Sequence, residues 1–172
     1  LAAVKAFREG EVDRIVLTRP AVGVEDEKHG FLPGDLNQKM DPWVRPLTDI
    51  LREYYRQPDI QAMIEEQKIE IAPLAFMRGR TFKKSYIIAD EMQNATPNQM
   101  KMLLTRIGEN SRMVVTGDLR QADRLEDNGL VEFIRLLKNT EKNLKYVDIV
   151  NFGQKDIERH PAVKEILEIY GD

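Results

Sequence analysis

The sequence predicts an α/β domain in which helices cover both faces of a parallel sheet. Three observations carry this. Short apolar runs alternate along the chain with segments whose apolar residues recur at helical spacing. The run Tyr86-Ile87-Ile88-Ala89 is apolar throughout, as a strand buried on both faces must be. Three such runs end abruptly in polar residues, at Thr18-Arg19-Pro20, Asp90-Glu91-Met92-Gln93 and Thr116-Gly117-Asp118. In a parallel sheet those three ends share one edge, the edge at which open α/β sheets bind ligands.

Each element follows in order. Residues Leu1 to Phe7 read as the later part of a helix, with no N-cap residue and with Gly10 as its stop. Arg14 to Thr18 form a β-branched strand. Ala21 to Lys39, including Gly30-Phe31-Leu32-Pro33-Gly34-Asp35, read as a long functional loop, since structureless loops of that length are uncommon in compact domains. Asp41-Pro42 offers an N-cap and a first-turn proline for a helix carrying Trp43, Leu47, Ile50, Leu51 and Tyr54 on one buried face. A helix from Asp59 and a strand at Ile69-Glu70-Ile71 follow. After the Ile87-Ile88 strand, Thr96-Pro97-Asn98-Gln99 is a capping box opening a helix with Met100, Leu103, Leu104 and Ile107 at core spacing and Gly108 as its end. Met113 to Thr116 are expected to be a buried strand, Gly129 to Lys138 a helix and Tyr146 to Val150 a strand. The last helix starts near His160-Pro161, with Val163, Ile166, Leu167 and Tyr170 inward.

Length and composition narrow the class. The 172 residues suit one domain with a sizeable core, so residues 1–172 are read as a single unit. A net charge of −3 argues against a surface dedicated to coating nucleic acid but leaves room for a local basic patch. The chain has no cysteine, hence no disulfide framework and no thiolate metal site, which fits a cytoplasmic setting. No apolar run approaches the length of a membrane span. His29 and His160 lie far apart in sequence and suggest no zinc site.

The chemistry is concentrated at the strand ends. An aspartate there can hold Mg²⁺ through its water shell, because that ion prefers one or two carboxylates plus phosphate oxygens. A neighbouring glutamate can orient or deprotonate a water. Asp90 and Glu91 have these roles as candidates, against the plain alternative of a solvated acidic turn. Arg19, Asp118 and Gln121 would complete a crevice with nearby positive charge, a second acid and an amide, the groups phosphoryl transfer requires. Arg78 and Arg80, with Lys83, Lys84, Phe76 and Phe82, form the densest basic patch. It reads as a solvated turn, as an arginine finger for a neighbouring subunit's nucleotide, or as a contact to RNA phosphates with aromatic stacking.

These blocks resemble the PhoH-like family of P-loop ATPases, related in motif to superfamily-one helicases. The matching residues are Thr18-Arg19-Pro20-Ala21, Gly30 to Asp35, Met77 to Thr81, Asp90 to Asn94, Gln99-Met100-Lys101, Leu104 to Gly108, Thr116-Gly117-Asp118, Gln121 and Arg159-His160-Pro161. The resemblance implies a RecA-like core, binding of ATP with Mg²⁺, ring-shaped homo-oligomers and a link to RNA. It implies that Asp90 is the Walker B acid behind Mg²⁺, Glu91 the catalytic glutamate and Gln121 the γ-phosphate sensor. Asp118 would brace that turn, Gln93 and Asn94 would couple the site to neighbouring loops, and Arg19 would lie near the nucleotide. Arg78, Arg80 and Arg159 are the finger candidates.

Departures from the family pattern are Met92 between the acid pair and its glutamine, Ala122-Asp123-Arg124 after Gln121, and an acidic Gly23 to His29 segment. The Gly-x-x-x-x-Gly-Lys-Ser/Thr phosphate loop is absent, so the domain is expected to be truncated at its N-terminus. That loop's N–H groups and lysine would grip the phosphates. Residues 1–172 alone are therefore expected neither to bind ATP tightly nor to fold well.

Overall fold

The alternation of strands and helices in the sequence becomes, in the computed structural model, a four-stranded sheet with helices on both faces. Residues 1–20, 49–121, 127–153, 156 and 161–170 are described here. The Gly30 to Asp35 loop, the helix start at Asp41-Pro42, Trp43, Leu47, Ala122 to Arg124, Arg159 and His160 lie outside them. The described chain forms two compact units, Leu1–Asn139 and Thr140–Asp172.

In the first unit the strands are β1 (Arg14–Arg19), β2 (Ile69–Pro73), β3 (Ser85–Ala89) and β4 (Arg112–Val115). All pair in parallel, in the spatial order β2-β1-β3-β4. Thr18 lies opposite Ala89, which brings the ends of β1 and β3 level. The connection after β1 leads to β2 on one side, and the connection after β3 leads to β4 on the other. A crevice therefore opens between the ends of β1 and β3, the switch point at which such sheets bind ligands.

Strand alternation divides the core between two faces. Val16, Ile87 and Ala89 join Met100, Leu103 and Leu130 from the helices Pro97–Leu104 and Gly129–Asn139. Ile15, Leu17 and Tyr86 join Val4, Ile60 and Leu51 from the helix Ala2–Arg8, the helix Gln57–Glu65 and the helical residues 49–52. This is the expected three-layer arrangement. Among the described residues no helix is long and apolar enough to cross a membrane.

Several expectations need correction. The Pro97–Leu104 helix stops before Ile107, which is 45% exposed; its backbone instead bridges in parallel to Phe82. Tyr54 is exposed at the surface with Arg8 stacked 5.1 Å from its ring centroid. Met113 to Thr116 are not a buried strand. Among the described residues β4 pairs with β3 alone, and every residue of it is half-buried or exposed.

The second unit contains the helix Pro161–Tyr170. Tyr146 to Val150 form no strand, because among the described residues no ladder takes up their backbone groups. Ile166, expected inward, is exposed, as are Tyr146, Phe152 and Ile169.

Candidate functional site: the carboxyl edge of β1, β3 and β4

Three backbone bonds shape the turn after β3. The Asp90 N–H donates to Thr18 O at the end of β1 (2.9 Å), while the Met92 N–H donates to Thr116 O beyond β4 (3.0 Å). Thr116 N–H in turn donates to Ala89 O (2.8 Å). The chain thus changes neighbours between Asp90 and Met92, and Glu91, the residue between, adopts a left-handed backbone with φ +56°. That conformation costs a residue with a Cβ about 1–2 kcal/mol. Met92 follows into the core and anchors the turn by burial.

Asp90 is held from both sides. Its Oδ1 accepts from the Thr116 hydroxyl (2.6 Å), and its Oδ2 accepts from Arg19 Nε (2.9 Å) and from the second guanidinium nitrogen, Nη2. Burial opposes the charged carboxylate, but the hydrogen bonds from Thr116 and Arg19, the Arg19 charge and the Glu91 N–H outweigh it. They hold the Asp90 carboxyl below the ordinary aspartate range. Arg19 lies on β1, 71 residues earlier, so the pair bridges the switch point directly.

Gln93 connects the rest of the edge. It is 3% exposed, and both polar groups of its side chain have partners. Its Nε2 donates to Glu91 Oε2 (2.6 Å), its Oε1 accepts the Asp118 N–H (3.3 Å), and its carbonyl accepts from Asn128 Nδ2 (2.6 Å). Asn128 Oδ1 accepts the N–H groups of Leu130 and Val131, capping the Gly129–Asn139 helix. Gly117 makes this possible. A Cβ there would come within 2.9 Å of Gln93 Oε1 and 2.6 Å of Leu130 Cδ2. Asp118 Oδ1 accepts the Arg120 N–H (2.9 Å) at the start of the short 3₁₀ turn Leu119–Gln121. The backbone of Gln121 ends that turn, on the same edge as the acid pair.

The structure thus brings together Arg19, Asp90, Glu91, Gln93 and Asp118, and redistributes the basic patch. Arg80 is bound to Glu70 of β2 through both guanidinium nitrogens, with Nη2 to Oε2 at 2.8 Å, and stacks 4.5 Å from the Phe82 ring centroid. Phe82 is buried and cannot stack on a base. Lys84 pairs with Asp13 (3.8 Å). Arg78 is exposed in a different neighbourhood, beside Lys101 and Arg106, two cations from the family-matching blocks that were not part of the basic patch read from the sequence. Thr116 was also missed as a partner of Asp90, although its place immediately after β4 was a signal.

Among the described residues no cluster of three or more His, Cys, Asp or Glu could cage a metal. One carboxylate beside a hydroxyl fits Mg²⁺ held through its water shell, with substrate phosphates supplying the remaining oxygens. Among the described residues the hydroxyl of Thr18, buried next to Arg19, has no hydrogen-bond partner and leaves polar capacity unused at this edge.

A family model described as PhoH-like protein matches residues 1–171. A PhoH-like protein of Synechocystis is 48% identical over 170 residues, covering 98% of this chain and 50% of the relative. A PhoH-like protein of Bacillus subtilis is 45% identical over 168 residues, covering 98% and 52%. Protein PhoH of Escherichia coli K12 is 40% identical over 178 residues, covering 98% and 47%. The chain spans about half the length of these curated relatives.

Proposed function

Because the chain belongs to the PhoH-like protein family, we propose that it supplies the acid edge of an ATPase that uses Mg²⁺. Family membership supports a nucleotide-binding P-loop domain in general; hydrolysis is the finer step proposed. One observation carries it: Asp90 and Glu91 stand at the end of β3, in the crevice where the connections of β1 and β3 diverge.

Glu91 is the residue proposed to orient water for in-line attack on the γ-phosphoryl group. Its carboxylate is bonded to Gln93, so Gln93 sets its direction and, through Asp118 N–H, ties it to the β4 loop. Gln121, on that loop, would read the γ-phosphate. Asp90 is proposed to hold Mg²⁺ through water, and the ion would offset charge on the phosphate oxygens. Both Asp90 oxygens are engaged by Arg19 and Thr116, so Arg19 must share or yield the carboxylate when the ion binds. Arg19 would then be free to approach a phosphate. Of the three finger candidates, Arg80 is tied to Glu70, Arg159 lies outside the described residues, and Arg78 stands among other cations. Coupling of hydrolysis to RNA remodelling, action in a homo-oligomeric ring and a cytoplasmic location belong to the same proposal.

The test is Glu91→Gln in the intact protein. The ATPase reading expects turnover to fall about 10²–10⁴-fold with ATP affinity retained. The competing reading, in which ATP only cements an assembly, expects assembly and function to be unchanged by the same substitution.

A further inference from the structure

A hollow of about 500 Å³ opens on the flank of the first unit, away from the acid pair's hydrogen-bond network. Arg78 and Gly79 line it from the β2–β3 connection, and Asn98, Lys101, Thr105 and Arg106 line it from the Pro97–Leu104 helix and the turn after it. Three of these side chains are cations and none is an acid, in a chain whose net charge is −3. Among the described residues no carboxylate pairs with Arg78, Lys101 or Arg106.

Arg106 is positioned without being neutralised. Its Nε donates to Met102 O (3.1 Å), its Nη1 to Arg80 O (3.4 Å) and its Nη2 to Thr105 Oγ1 (3.1 Å), all uncharged acceptors, so its positive charge is not cancelled by an acid. Gly79, at φ +76°, turns the chain where an added Cβ would meet nothing within 4 Å, leaving that rim open. Lys101 lies on the Pro97–Leu104 helix, Arg106 on the turn after it and Arg78 on the facing β2–β3 connection, so the three cations line a broad, open surface. Phe76, two residues before Arg78, exposes half of its surface.

We propose that Arg78, Lys101 and Arg106 bind the phosphate backbone of single-stranded RNA along this flank. An open surface of unneutralised cations suits a polyanion that passes across it, whereas small ligands are usually enclosed. An exposed aromatic nearby suits a stacked base. Asn98 is the one neutral amide in the lining, too little for base readout, so binding is insensitive to sequence. The proposal rests on the RNA coupling proposed above.

The test measures fluorescence anisotropy of a labelled oligouridylate of about 20 nucleotides with the intact protein, comparing wild type, Lys101→Glu and Arg78→Ala. Both positions are exposed, so neither change disturbs the core. Lys101→Glu should weaken RNA binding more than about tenfold, and each lost cation should flatten the slope of log affinity against log salt by about 0.7. RNA-free ATP turnover of Lys101→Glu should match wild type. Wild-type binding with unchanged affinity and slope in both variants overturns the hollow and leaves RNA coupling standing. Loss of RNA-free turnover with RNA affinity intact would also overturn it, assigning these cations to a neighbouring subunit's nucleotide. No wild-type binding at about 50 mM salt overturns both the hollow and RNA coupling, while the hydrolysis reading is judged separately by Glu91→Gln.

Discussion

At the carboxyl edge of the sheet, Asp90 shares its oxygens between Arg19 and Thr116, and Glu91 is bonded to Gln93. On the flank, Arg78, Lys101 and Arg106 line one hollow with no acid among them. Both regions belong to the first unit, yet their charges are treated in opposite ways. The edge is pre-organised: its groups sit in fixed directions, which is what electrostatic stabilisation of a reacting group requires. The flank is left uncompensated, which is what long-range attraction of a polyanion requires. Arg80 and Arg78, two residues apart, fall on either side of this division.

The largest effect should come from loosening the edge. Gln93→Ala removes a buried amide and leaves the Asp118 N–H without that acceptor, so stability should fall by about 1–3 kcal/mol. Urea unfolding measures this, and ATP turnover should fall as well because Glu91 loses its tether. The next effect separates the two arginines. Arg80→Ala breaks a bidentate pair with a half-buried Glu70 and should cost about 1–2 kcal/mol, whereas Arg78→Ala should stay within about 0.5 kcal/mol in the same assay. Equal losses would erase the distinction between paired and unpaired cations.

The smallest effect is electrostatic. The folded Asp90 carboxyl titrates below the ordinary aspartate value of 3.8, so its contribution to stability is present above that pH and is lost as pH falls through the depressed value. Arg19→Leu removes a hydrogen-bond donor and a positive charge, letting burial weigh more heavily. The Asp90 midpoint should then rise toward its unfolded value, and the share of acid destabilisation that Asp90 contributes should shrink. Carboxyl-carbon NMR titration of wild type and variant reads the direction.

Much of this was legible in the chain. The capping box is formed as written, with Gln99 N–H donating to Thr96 Oγ1 (3.3 Å) and Thr96 N–H to Gln99 Oε1 (2.9 Å). A capping box is a local bargain between residues three apart, so sequence suffices to see it. The end of β3 at Asp90 was equally visible, because an apolar run stopped at an acid. What escaped depended on partners distant in sequence. Arg80 looked like part of a basic patch until the register placed Glu70 beside it; the one clue was a lone charge within Ile69-Glu70-Ile71. β4 looked buried because its residues are apolar, but burial depends on how many strands flank it. Lys101 and Arg106 join Arg78 only once the helix packs against the β2–β3 connection, across more than 20 residues of chain.

The Arg19–Asp90 bridge also has a kinetic meaning. It closes a loop of 71 residues between strands that must pair in parallel. Such contacts recover the entropy of loop closure late, and folding that depends on them is slow. A chain in which β1 and β3 have not yet met has no acid edge at all, only an aspartate and an arginine at distant points on a flexible polymer. The assembly of the site is thereby tied to the completion of the sheet, and a partly folded chain has no arranged acid pair with which to handle a nucleotide.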